Sequence, residues 1–180
     1  SVILVSKINL SHSLIDPIIK IFTGYGTKVL HSNRIVKIEQ SGEGFSLTSS
    51  SGEKYKAQYI ISTIPLHALK KIEGISRIIS IPDEDFNYSS ILSVHIKTGT
   101  IRFEEPFIGF TDSPIHWVFR HEDYISVVIS DADKFQELSH EQIGDMVSAE
   151  LMKYRLIAEG DILKMKLIRE KRATFIPDNN

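Results

Sequence analysis

Three stretches between residues 91 and 130 alternate apolar and polar side chains with a period of two, and nothing else in the chain limits its fold so strongly. Leu92, Val94 and Ile96 alternate with Ser93, His95 and Lys97. Ile115, Trp117 and Phe119 alternate with His116, Val118 and Arg120, and Ile125, Val127 and Ile129 with Ser126, Val128 and Ser130. Successive side chains of a strand point to opposite faces, so short alternating runs with polar breaks describe an antiparallel sheet with one covered face. A cover for that face follows in the sequence. Ser139 and Gln142 have the spacing of a capping box, and Ile143, Met146, Val147, Leu151 and Tyr154 fall on one side of a helix over 140–154. A last strand is expected from about Leu163 to Phe175, with Leu163, Met165 and Leu167 on the covered face and Lys164 and Lys166 on the other. The fold class is α+β.

The N-terminal part reads differently. Asp16-Pro17 places a capping residue before a proline in a first helical turn, and Ile18, Ile19, Ile21 and Phe22 give a short apolar stripe. Gly24 and Gly26 are its stop signals. From Thr27 to Pro65 the pattern becomes strand-like. Val29 opens one strand, Ile35, Val36 and Ile38 make a second, and Phe45 and Leu47 belong to a third, with turns at Gly42, Gly44 and Ser51-Gly52. Tyr59-Ile60-Ile61 is a continuous apolar run, expected to be a strand buried on both faces and ended by Pro65. Residues 66–88 read as a connection with a turn at Pro82-Asp83.

Bulk properties exclude several classes. The 180 residues carry a formal net charge of -2, so no global field draws the chain to nucleic acid. There is no cysteine, which removes disulfides, thiolate metal sites and cysteine nucleophiles and fits a reducing, cytoplasmic setting. No apolar run approaches the roughly 20 residues of a membrane span. Seven histidines are present, but none has ligand spacing, and the nearest pair, His116 and His121, straddles an expected turn. They read as scattered surface histidines, so no metal is expected. The basic stretch from Lys164 to Arg172 alternates with apolar residues and includes Glu170, which describes a solvated strand face. No nucleophile elbow, Walker loop or Gly-x-Gly-x-x-Gly occurs, and no catalytic residue can be named.

Three groups of residues carry a family resemblance. The first is Lys7-Ile8-Asn9-Leu10-Ser11, Asp16-Pro17 and Gly26; the second runs from Lys28-Val29 through Arg34-Ile35-Val36-Lys37-Ile38 and Ser51-Gly52-Glu53 to Ala57-Gln58-Tyr59-Ile60-Ile61-Ser62-Thr63-Ile64-Pro65. The third comprises His116-Trp117-Val118-Phe119-Arg120, Tyr124-Ile125-Ser126-Val127-Val128-Ile129-Ser130 and Arg169-Glu170-Lys171-Arg172-Ala173-Thr174-Phe175. Together they resemble the flavin amine-oxidase superfamily and, within it, the hydroxysqualene dehydroxylase branch. Gln58 and Thr63 replace the usual Asp and Ala of the second passage, which carotenoid (phytoene-type) desaturases, protoporphyrinogen oxidases and monoamine oxidases share. The Glu170–Phe175 block favours the dehydroxylase.

The resemblance implies an FAD-dependent oxidoreductase acting on an apolar isoprenoid of hydroxysqualene or carotenoid type. It implies that 1–65 is a partial FAD-binding segment and that 66–180 is a substrate-binding domain whose antiparallel sheet walls the cavity before the flavin. Ile35, Thr63, Ile64 and Pro65 would then line the nucleotide, although Ile35 and Ile64 would equally serve as core residues in any sheet. Phe107, Phe110, Trp117 and Phe119 are the candidates for the cavity wall, with packing of Trp117 and Phe119 under the 140–154 helix as the other reading, favoured for Phe119. The family's glycine-rich phosphate motif lies upstream of the matched passages and its flavin-closing Gly-Asp segment beyond Pro177. The chain is therefore expected to be a middle segment that, by itself, neither retains flavin nor is active. Peripheral membrane contact of the parent and self-association through exposed sheet surface are further expectations. A stand-alone ligand-binding or interaction module without redox activity is the rival reading.

Overall fold

A computed structural model describes residue 6, residues 8–82 and residues 86–177. The chain falls into two compact units, Ser1–Asp85 and Phe86–Asn180. Residues 66–82, grouped with the second segment in the sequence reading, belong to the first unit; Asp83 of the expected turn lies outside the described residues.

The earliest element among the described residues is a helix whose onset is earlier than Asp16-Pro17 implies. The Asn9 side chain accepts the amide of Ser11 at 2.8 Å, and a wide helical turn over Ser11–Ile15 runs directly into α1 (Asp16–Gly24). Asp16 is consequently an interior residue, bonded to His12 at 2.8 Å, and caps nothing. The expected stop is present: Gly26 has φ +81, and the amide of Thr27 returns to the carbonyl of Phe22.

Next comes an antiparallel meander of β1 (Ile35–Ser41), β2 (Gly44–Ser49) and β3 (Lys54–Ala57), in the order β1-β2-β3. Val29 opens no strand, and β3 has too few apolar residues for its alternation to show. The Tyr59-Ile60-Ile61 run is no buried strand either. Tyr59 is 82% exposed and Ile61 91%, while Ile60 alone turns to the core. The connection is more ordered than its sequence implies. A short helix α2 (Leu66–Leu69) precedes Glu73, whose backbone bonds to Val36 and Ile38 at 2.9 Å each and adds a parallel bridge to β1. Ile72 and Ile75 thereby close a small core over Ile38. Gly74 makes this possible. Its φ is +85, and a Cβ there would sit 2.2 Å from the Ile38 carbonyl oxygen.

The second unit is a five-stranded antiparallel sheet in the order β5-β6-β7-β4-β8. Its strands are β4 (Tyr88–Thr98), β5 (Phe107–Gly109), β6 (Trp117–Arg120), β7 (Ile125–Ile129) and β8 (Ile162–Phe175). Helix α3 (His140–Lys153) has the expected capping box, with both reciprocal bonds between Ser139 and Gln142. Its Ile143, Val147 and Leu151 pack on one sheet face against Leu92, Val94, Ile96, Ile125, Val127 and Ile129, all without exposed surface. Two facings differ from the alternation read from sequence. In β6 the buried residue is Val118, because it pairs with Val127, whose neighbour across the sheet is Val94; Trp117 and Phe119 point to the other face. In β8, Thr98 pairs with Ile162 and Lys97 with Lys164, so Leu163 is a bulge residue and is 67% exposed. Ile162, Met165 and Leu167 take the core side. Arg169 donates to the carbonyls of Ala132 and Phe135 at 3.0 and 2.9 Å and so holds the turn after β7.

Candidate functional site

The sheet face opposite α3 carries the most organised surface of the second unit. Register builds it in rows. Phe107 pairs with Phe119, Phe119 with Ser126, Ser126 with His95 and His95 with Lys166. Beside this row, Gly109 pairs with Trp117, Trp117 with Val128, Val128 with Ser93 and Ser93 with Ile168. Paired residues share a face, so the rows alternate aromatic, hydroxyl, imidazole and aliphatic groups on one surface.

Three aromatic rings meet at the β5–β6 end. The Phe107 centroid lies 5.9 Å from Trp117 and 6.0 Å from Phe119, and Trp117 and Phe119 are 6.5 Å apart with rings inclined by 29°. These are the separations of attractive aromatic pairs. Gly109 provides the floor: a Cβ there would lie 2.8 Å from the Trp117 indole, so only glycine lets that ring lie flat on β5. Trp117 stays 39% exposed. Phe119 does not pack under the helix. Phe110 does: one residue beyond Gly109 the alternation sends it to the core side, where its ring centroid is 4.5 Å from that of Tyr154. Of the expected wall, the structure gathers Phe107, Trp117 and Phe119 and separates Phe110 from them.

Next to the rings is a polar cluster that the sequence did not single out. The buried Ser126 hydroxyl lies 2.9 Å from Nδ1 of His95 and 3.0 Å from Nε2 of His121. The His121 ring stacks on Tyr124 with centroids 4.1 Å apart and 8° between planes. Burial holds the His121 pKa below its ordinary value, the nearby His95 lowers it further, and Asp123 partly offsets both. Asp123 in turn pairs with Lys97 at 3.3 Å. These histidines are far apart in sequence and meet only through the β4–β7 register. The available signal was that His95 and Ser126 both occupy polar phases of their strands.

In the first unit, Ile35 opens β1 opposite Ser49, and its side chain packs on the core around Ile38. Thr63, Ile64 and Pro65 form an exposed loop; the Pro65 carbonyl accepts the amides of Ala68 and Leu69 to start α2. A flavin dinucleotide needs a helix N-terminus and close glycine backbone at its pyrophosphate. Among the described residues the unit offers helix α1, the four-residue helix α2 and an antiparallel meander, and no glycine leads into either helix, so no phosphate cradle is found there. Among the described residues no three His, Asp or Glu groups are placed to hold a metal ion, and no helix is long and apolar enough to cross a membrane.

Residues 11–153 match the sequence model of the family described as flavin containing amine oxidoreductase, and the chain belongs to that family. It is similar to the hydroxysqualene dehydroxylases of Sinorhizobium fredii, 22% identical over 98% of this chain and 42% of that protein, and of Zymomonas mobilis, 24% identical over 93% and 39%. The chain thus spans about two-fifths of the length of these relatives. Among solved structures it resembles putrescine oxidase bound to putrescine (TM-score 0.59, 16% identity, 86% of this chain and 38% of that one). It also resembles a putative protoporphyrinogen oxidase from Exiguobacterium (TM-score 0.57, 13% identity, 86% and 38%). At these identities the likeness is one of fold.

Proposed function

We propose that this chain is part of an FAD-dependent oxidoreductase acting on an apolar isoprenoid of hydroxysqualene or carotenoid type. The second unit supplies one wall of the substrate cavity through the sheet face bearing Phe107, Trp117 and Phe119. The first unit supplies a stretch of nucleotide lining through Ile35 and the Thr63–Pro65 loop. The flavin, bound mainly by other parts of the protein, carries the redox step. A bilayer is the natural source of such a substrate, so the parent works in peripheral contact with a membrane.

The observation that carries this reading is the three-ring cluster left partly exposed on the sheet face opposite the one that carries the core. An isoprenoid offers few hydrogen bonds, so its site must be chiefly aliphatic and aromatic. An uncovered apolar patch on an otherwise ordinary surface marks a binding face. Trp117 is the only tryptophan of the chain, so its emission reports on this face alone. Titration with squalene should shift that emission to shorter wavelength and saturate. An unresponsive Trp117, with the chain folded by circular dichroism, would reject the wall.

A further inference from the structure

The open face is not apolar throughout: the row that holds Phe107 and Phe119 continues through Ser126 and His95 to Lys166. From Phe107 through Phe119 to Ser126 and His95, each step is one strand spacing of about 4.8 Å. A ligand lying along this row would pass from rings to the Ser126–His95–His121 cluster within a few methylene lengths.

The valence of that cluster is definite. A serine hydroxyl has one hydrogen to give, and here two imidazole nitrogens stand at 2.9 and 3.0 Å from it. If Ser126 donates to His121 Nε2, then His95 Nδ1 donates to Ser126. The outward nitrogens are then a lone pair on His95 and an N–H on His121. If the chain of bonds runs the other way, these roles exchange. With both rings neutral, the cluster always presents one donor and one acceptor. His95 Nε2 and His121 Nδ1 have no hydrogen-bond partner among the described residues. A hydroxyl group is a small ligand group that is itself both donor and acceptor, so it is satisfied in either state. A carboxylate cannot donate, an ammonium cannot accept, and a hydrocarbon can do neither.

We infer that the Ser126–His95–His121 cluster is the polar end of the binding face and selects isoprenoids that carry a hydroxyl group over the corresponding hydrocarbons. This rests on the open face being the substrate wall and adds the feature that orients the substrate along it. His95 and His121 are binding residues in this assignment, and Ser126, held between them, positions their protons.

The test uses the whole chain and the Trp117 emission, with farnesol and its saturated hydrocarbon farnesane as probes. Wild type should bind farnesol about tenfold tighter than farnesane, the value of one well-made hydrogen bond at an otherwise apolar site. S126A should bring the two affinities together, and S126T, which restores a hydroxyl, should recover most of the preference. Equal affinity for the two probes in wild type overturns the inference, as does an undiminished preference in folded S126A. Both results leave the apolar wall standing. If neither probe moves Trp117, the wall itself fails and the inference with it. Should S126A lose its native far-ultraviolet spectrum, H121L at the half-buried turn carries the same comparison, with loss of preference expected and its retention overturning.

Discussion

In the second unit, Leu92, Val94, Ile96, Ile125, Val127 and Ile129 have no exposed surface, and Ile143, Val147 and Leu151 of α3 close over them. In the first unit, the buried apolar residues among those described are Ile38, Ile72 and Ile75, and their partners Ile35, Phe45, Leu47 and Ile60 are only partly covered. Helix α1 adds nothing to that core: it has no buried residue, and Ile21 and Phe22 are more than half exposed. Fully burying one such side chain is worth about 1.5–3 kcal/mol, so the two units differ greatly in what holds them together. The second unit carries its core on one sheet face and leaves the other face partly open. The first is tied more by backbone than by packing, through the meander and the Glu73 bridge to β1.

The largest expected effect tests that contrast directly. Ile143→Ala should lower the stability of the second unit by about 2–5 kcal/mol, because a side chain with no exposed surface leaves a cavity. Ile35→Ala in the first unit should cost less than about 2 kcal/mol, since its site is half open already. Denaturant melts of both variants make the comparison, and equal losses would mean that the first core is better packed than its burial shows.

If the first unit depends on backbone, its most sensitive point should be a glycine. Gly74→Ala must hold alanine at φ +85, which costs about 1–3 kcal/mol, and must also relieve a 2.2 Å approach to the Ile38 carbonyl. Gly24→Ala is the control, with open space around it and a helical backbone, and should be neutral or stabilising. Thermal melts that rank the two alike would break the argument. A smaller loss, about 1 kcal/mol, is expected from Ser139→Ala, which removes the acceptor for the Gln142 amide at the start of α3. Helical circular dichroism during urea titration would reveal it, and no change would mean the capping box is incidental to helix stability.

The same contrast governs what could be read in advance. The Leu92–Ile96 and Ile125–Ile129 alternations and the capping box were legible because a fully covered face enforces its period on the sequence. Trp117 and Phe119 misled because both faces of β6 carry large apolar groups, and only pairing with Val127 shows that Val118 is the inward one. Leu163 misled because a bulge breaks the period without any local signal. In the first unit the Tyr59–Ile61 run has the composition of a buried strand and lies largely exposed, since no strand among the described residues pairs with it. The ring cluster was half visible, as aromatic residues of one short segment. The histidine–serine cluster was not visible, because no spacing within a single strand contains it.

That cluster yields the smallest expected effect and the one best separated by pH. Burial, then His95, lowers the proton affinity of folded His121, while the unfolded chain takes up its proton near the ordinary value of about 6.5. Below that pH the unfolded state binds more protons at this site, so stability falls as pH drops and levels off once the folded ring is also charged. Asp133 acts in the same direction in a different window. Its carboxylate accepts the Ser90 amide at 3.0 Å, which holds its pKa below the ordinary carboxylate value, so its contribution is present above about pH 4 and lost below it. Melts of wild type, H121N and D133N between pH 3 and 8 separate the two. H121N should flatten only the limb that begins near pH 6.5, and D133N only the acid limb. A wild-type curve already flat between pH 5 and 7 would mean that His121 is as easily protonated folded as unfolded, and that the open face is wetter around Ser126 than its burial shows.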